Sequence, residues 1–64
     1  MTLRDWLDWR KITTRDFAAA IGVTYVSVTR YLAGTRIPEW HIIQRIVTVT
    51  EGHVTANDWH RGRG

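Results

Sequence analysis

The sequence predicts an all-α, compact domain of four to five short helices, and three observations carry that prediction. A Thr stands three residues ahead of an Asp at Thr2, Thr13 and Thr55, the pattern in which a hydroxyl and a carboxylate take up free amides at a helix start. The residues that follow the first two starts place their apolar side chains at helical spacing. Gly22, Gly34 and Gly52 then stand where the periodic stretches stop, and glycine adopts at little cost the positive φ that closes a helix.

The first helix is expected from about Thr2 to Arg10, with Leu3, Trp6, Leu7 and Arg10 on one face and Trp9 on its flank. The second opens at Thr13, runs through Phe17, Ala18, Ala19, Ala20 and Ile21, and ends at Gly22. Thr24 caps the third, which extends to Ala33. Its residues Tyr25, Val26, Val28, Thr29 and Tyr31 favour a strand locally, but Val28, Tyr31 and Leu32 fall at i, i+3 and i+4 and Gly34 closes the segment, so tertiary packing overrides propensity. Pro38 suits the first turn of the fourth and longest helix. Ile43, Ile46, Val47 and Thr50 form its buried face, Ile42 and Val49 lie beside them, and Gly52 ends it. Residues 55–59 fit one last turn, pinned to the core by Trp59. Residues 1–60 thus form a single domain, and Arg61, Gly62, Arg63 and Gly64 a flexible basic tail.

At 64 residues the chain has room for one domain, which buries a smaller share of its surface than a larger one does. Cysteine is absent, so apolar packing alone must hold the fold. No apolar run approaches the roughly 20 residues that span a bilayer. Arg4, Asp5 and Asp8 interrupt the apolar stretch a signal peptide needs. The expectation is a cytoplasmic protein, associated with the nucleoid when bound to DNA. Nine basic residues against six acidic ones give a formal charge of +3, and Lys11 is the one base that is not Arg. Their distribution says more than their sum: no Asp or Glu occurs from Phe17 through Pro38, while Arg30 and Arg36 lie inside that stretch. One segment is therefore free of the charges a polyanion repels.

From Thr14 to Ala33 the chain resembles the helix-turn-helix of the lambda-repressor-like (Cro-type) family. Phe17, Ile21, Val23, Val28 and Tyr31 stand at its apolar positions, Ala18 where a small side chain lets two helices approach, and Gly22 at the turn. The segments Tyr31 to Pro38 and Thr50 to Trp59 are similar to the loop after the recognition helix and to the end of short phage-type regulators. The chain departs from the family's pattern at Tyr25 and Val26, where polar residues are commoner, and at Ile37, where a capping residue would precede Pro38.

The resemblance implies a sequence-specific regulator of transcription, of phage or mobile-element type. It would act as a repressor, a homodimer reading two half-sites of a double-stranded operator through the third helix. With Val28, Tyr31 and Leu32 inward, Tyr25, Val26, Thr29, Arg30 and Ala33 face outward. Thr24, Tyr25, Val26, Ser27, Thr29 and Arg30 are the candidates for base edges, Arg30 for guanine and Val26 for a thymine methyl. Thr14, Arg15 and Arg36 are the candidates for phosphates.

Each residue has a plainer alternative. Arg30 could instead meet phosphate or an internal carboxylate, Arg36 could be a solvated loop charge, and Arg15 could serve the helix end. Tyr25 and Val26 could pack on a neighbour or a protein partner, which motivates an alternative: an antitoxin or anti-activator using the same fold to hold a protein. Trp6 and Trp59 fit the core. Trp9 and Trp40 are the candidates for a dimer contact, so the four tryptophans do not imply a single-strand platform. His41, His53 and His60 lack the i, i+4 spacing of a helical metal pair, and no cofactor or metal is expected. No catalytic constellation is present, so the expectation is that the chain is not an enzyme.

Overall fold

The computed structural model describes residues 1–60, which form five helices: α1 (Leu3–Arg10), α2 (Thr14–Ile21), α3 (Tyr25–Ala33), α4 (Trp40–Val49) and α5 (Asn57–His60). No strand occurs among the described residues. The basic tail expected at residues 61–64 lies outside them.

The capping hydroxyls act as the sequence implies at Thr2, Thr13 and Thr24, whereas at Thr55 it is the Asp58 carboxylate that accepts, from the Thr55 amide at 2.9 Å. Thr2, Thr13 and Thr24 are extended, and their hydroxyls accept the amides of Asp5 at 3.2 Å, Asp16 at 3.1 Å and Ser27 at 3.1 Å. The helix ends share a second device. Ile12 N–H donates to the Leu7 carbonyl at 3.0 Å, Val23 to Ala18 at 3.0 Å, Thr35 to Arg30 at 3.1 Å and Gly52 to Val47 at 2.9 Å. Each closure places a left-handed residue just past the helix. Gly22 and Gly34 fill that position at φ 76° and 79°, whereas Lys11 and Glu51 fill it at 56° without being glycine.

α4 departs from expectation at its start. The residues between Gly34 and α4 form a loop without regular structure, and Pro38 is buried within that segment rather than in the helix. The helix begins two residues later. Glu39 stands at its N-cap without a side-chain hydrogen bond, so the start relies on the Glu39 carbonyl, which accepts the Ile42 and Ile43 amides at 2.9 Å each.

The core joins all the elements. Leu3, Trp6 and Leu7 of α1, Phe17, Ala18 and Ile21 of α2, Val28 and Tyr31 of α3, Ile42 and Ile46 of α4, and Val54 form one cluster. Trp59 packs against it half-buried, its ring edge-on to Tyr31 at 6.1 Å, and Trp6 lies 5.8 Å from Phe17. α2 packs against both α3 and α4, and buried Ala18 has the small side chain expected at such a contact.

Two polar contacts lock the far side of this core. Thr50 is fully buried; its hydroxyl donates to the Ile46 carbonyl at 2.7 Å and accepts the Val54 amide at 3.2 Å, tying the end of α4 to the segment that leads into α5. From α4, Arg45 Nη1 donates to the Ile21 carbonyl at 3.2 Å, placing a cation at the negative end of α2.

Candidate nucleic-acid interface

Burial divides α3 into two faces. Val28 and Tyr31 are buried and Leu32 is half-buried, while Tyr25, Val26, Thr29, Arg30 and Ala33 are exposed along the opposite side. Residues 25, 26, 29, 30 and 33 recur at helical spacing, so they form one continuous surface rather than scattered positions. Ser27 lies at its margin, half-buried, and Thr24 begins it as the exposed N-cap.

The hydroxyls on this surface are not equivalent. Thr24 Oγ1 accepts the Ser27 amide and shares a hydrogen bond with Ser27 Oγ at 3.0 Å. Thr29 Oγ1 donates to the Tyr25 carbonyl at 3.0 Å. A hydroxyl carries one proton, so Thr29 offers only lone pairs to a ligand, while the Thr24–Ser27 pair uses one proton between its two oxygens and keeps the other to donate. This division of labour was not legible in the sequence, which shows three interchangeable hydroxyls.

The structure brings the starts of α2 and α3 together. The Arg15 guanidinium sits 4.8 Å from the centre of the Tyr25 ring, a cation–π contact that holds both side chains at one edge of the surface. Thr14, the first residue of α2, is half-buried there. Arg36 lies elsewhere, in the loop beyond α3. There it lines a groove of about 490 Å³ with Arg4, Ile37, Leu32 and Trp59. Arg4 is exposed in the first turn of α1 and was missed as a candidate, because its place in the sequence is far from the Thr14 to Ala33 segment.

Among the described residues the amino terminus pairs with Asp58 at 3.3 Å, and His41 Nε2 lies 3.6 Å from a Glu39 carboxylate oxygen. Arg15, Arg30 and Arg36 take part in neither. The internal carboxylate that was one alternative for Arg30 is therefore not found among the described residues. Tyr25 and Val26 add an exposed apolar pair, 45% and 52% accessible, at the amino end of α3. The surface can accept hydrogen bonds at Thr29, donate from the Thr24–Ser27 pair, Arg15 and Arg30, and make an apolar contact at Val26.

No family model, no curated protein and no solved structure matches this chain.

Proposed function

We propose that this protein is a sequence-specific double-stranded DNA-binding regulator in which α2, the turn at Gly22 to Thr24, and α3 act as a helix-turn-helix. The observation that carries the reading is the outward face of α3. Its residues are exposed over its length and include no carboxylate, Arg15 stands at its amino-end edge, Arg36 lies in the loop that follows α3, and neither arginine forms an ion pair among the described residues. A helix presented in this way fits the major groove, where phosphates on either side attract the flanking cations.

On this reading Arg30 grips guanine O6 and N7, Val26 meets a thymine methyl, and the Thr24–Ser27 pair donates to a base acceptor or a phosphate. Thr29, with its proton already used on the Tyr25 carbonyl, accepts from the amino group of cytosine or adenine. Arg15 and Arg36 hold phosphates and set the register. One helix reads only a few base pairs, so a homodimer on two half-sites follows, repressing by occluding a promoter. The protein acts in the cytoplasm, without catalysis.

The exposed Tyr25 and Val26 pair supports a second reading, in which the same surface holds a protein partner. Titrating a mixed-sequence duplex over a range of salt separates the two. A phosphate-binding surface loses affinity linearly in log salt, with a slope of about −0.9 per phosphate neutralised. Absence of duplex binding at low salt, or affinity indifferent to salt, would favour the protein-binding reading.

A further inference from the structure

Two cations share a groove beyond the carboxyl end of α3. Arg4 comes from the first turn of α1 and Arg36 from the loop after α3, and the groove they line is walled as well by the last turn of α3 and by α5. Its volume of 490 Å³ is that of a small-molecule site, for which roughly 300 to 1,000 Å³ is usual. Both arginines are exposed, and neither forms an ion pair among the described residues. Asp8, one turn along α1 from Arg4, does not pair with it.

The negative groups nearby are already answered. Asp58 is the one carboxylate that lines the groove; its Oδ1 lies 3.3 Å from the amino terminus and its Oδ2 accepts the Thr55 amide at 2.9 Å. The carbonyls of Arg30 and Tyr31, at the negative end of α3, accept the amides of Thr35 at 3.1 Å and Gly34 at 3.2 Å. Two positive charges are thus left without a partner beside an apolar wall of Leu32, Ile37 and Trp59.

We propose that this groove binds a small organic anion, a carboxylate or phosphate ester with a flat apolar body, and that filling it weakens the grip on DNA. Arg4 and Arg36 hold the anionic end through charge-assisted hydrogen bonds, for which the guanidinium fork is suited. The Thr2 hydroxyl also lines the groove; it accepts the Asp5 amide and keeps its proton to donate to the same end. The body of the ligand lies against Leu32, Ile37 and Trp59. Ile37 is 51% exposed in the free chain, so covering it adds an apolar burial that a bare phosphate does not supply. That wall separates the ligand from a DNA backbone, whose phosphates need the cations alone. The effect on DNA rests on the reading of Arg36 as a phosphate contact, because a guanidinium closed on the ligand is withdrawn from the duplex. Binding of the anion does not depend on that reading.

The test titrates the full chain at constant ionic strength with 3-phenylpropionate and phenyl phosphate, following amide and indole chemical shifts. Acetate, inorganic phosphate and 3-phenylpropanol supply the parts alone. Both organic anions should bind with a Kd of about 1 mM, ordinary for ligands of this size, and shift Arg4, Leu32, Arg36, Ile37 and the Trp59 indole N–H. The separate parts should bind at least about ten-fold more weakly. Arg4→Gln and Arg36→Gln, with thermal melts to confirm that each folds, should each weaken the organic anions about ten-fold. Ile37→Ser should weaken the organic anions and leave inorganic phosphate unchanged. Saturating 3-phenylpropionate should lower the affinity for a random duplex several-fold, the loss of about one phosphate contact, where equal acetate does not.

Absence of shifts at the groove with either organic anion overturns the proposal, as do equal responses to the anions and their parts, or shifts that fall at Arg15 and Arg30. A duplex that shifts Arg4 and Arg36 where neither organic anion does assigns the groove to the DNA backbone and overturns it too. Undiminished duplex affinity with the groove filled overturns the coupling to DNA. A chain that fills the groove yet binds no duplex supports the site and removes the DNA reading, so the two failures are distinguishable.

Discussion

Replacing Gly22 by Ala tests how the joint between α2 and α3 is held, and the structure supplies its own control. Gly22 has φ 76°, and a left-handed conformation costs an ordinary residue about 1 to 2 kcal/mol. A Cβ built there would also lie 3.1 Å from Arg45 Nη1, the atom that donates to the Ile21 carbonyl. That guanidinium must shift, weakening a partly buried charged hydrogen bond worth about 1.5 to 3 kcal/mol when fully made. Gly34 has almost the same φ, 79°, but open space around its Cβ. Gly34→Ala should therefore cost about 1 kcal/mol, from backbone strain less the entropy the unfolded chain no longer gains. Gly22→Ala should cost about 2 to 3 kcal/mol, the difference being the contact with Arg45. A single core in a domain this small rarely supplies more than about 3 to 5 kcal/mol, so Gly22→Ala should unfold a measurable fraction at rest. Urea denaturation followed by far-ultraviolet dichroism reads both values. Combining each glycine change with Arg45→Met should show coupling at Gly22 and none at Gly34. Equal costs at the two glycines, or coupling absent at Gly22, would refute the role given to Arg45.

Other consequences are open to the same denaturation assay. Thr50→Val preserves shape but leaves the buried Val54 amide without its acceptor, and should cost about 1 to 3 kcal/mol, whereas Thr50→Ser, which keeps the hydroxyl, should retain much of that contact. A cost at or below that of the serine variant would contradict the lock between α4 and Val54. Lys11, left-handed at φ 56°, is a glycine position filled by another residue; Lys11→Gly should raise stability by about 0.5 to 1 kcal/mol. A loss of stability would mean that the lysine side chain contributes more than its backbone strain costs.

The helices were legible because their signals are local. Thr2, Thr13 and Thr24 sit where their hydroxyls must meet an amide three residues on, and Gly22 and Gly34 where the chain must turn left-handed. α3 was legible only by combining such signals, since its β-branched residues favour a strand, and the helix depends on Val28 and Tyr31 reaching the core. What the sequence hid was longer in range or finer in detail. Pro38 carries a helix-start signal but is buried in the loop ahead of α4. Lys11 and Glu51 adopt a backbone usually advertised by glycine, so their closures have no sequence mark; at Glu51 the glycine signal falls one residue late, on Gly52. Arg45 reaches a carbonyl 24 residues away, a pairing that no local spacing encodes. The candidate surface was legible as residue positions, because the face of α3 follows from helical spacing. Which hydroxyl donates, and that Arg15 rests on Tyr25, depend on side-chain geometry.

Selection of a duplex from a random-sequence library by this protein, followed by affinity measurement across salt concentrations, tests the proposed role of α3 most directly. With the selected duplex, affinity should fall steeply with salt. Arg36→Ala should weaken selected and scrambled duplexes alike and make the slope shallower by about 0.9. Arg30→Ala should cost about 1 to 3 kcal/mol on the selected duplex, with little loss on the scrambled one, and relax the preference at one base pair. A library that yields no enriched sequence, or an Arg30→Ala loss equal on both duplexes, would contradict the reading of α3 as the helix that recognises DNA.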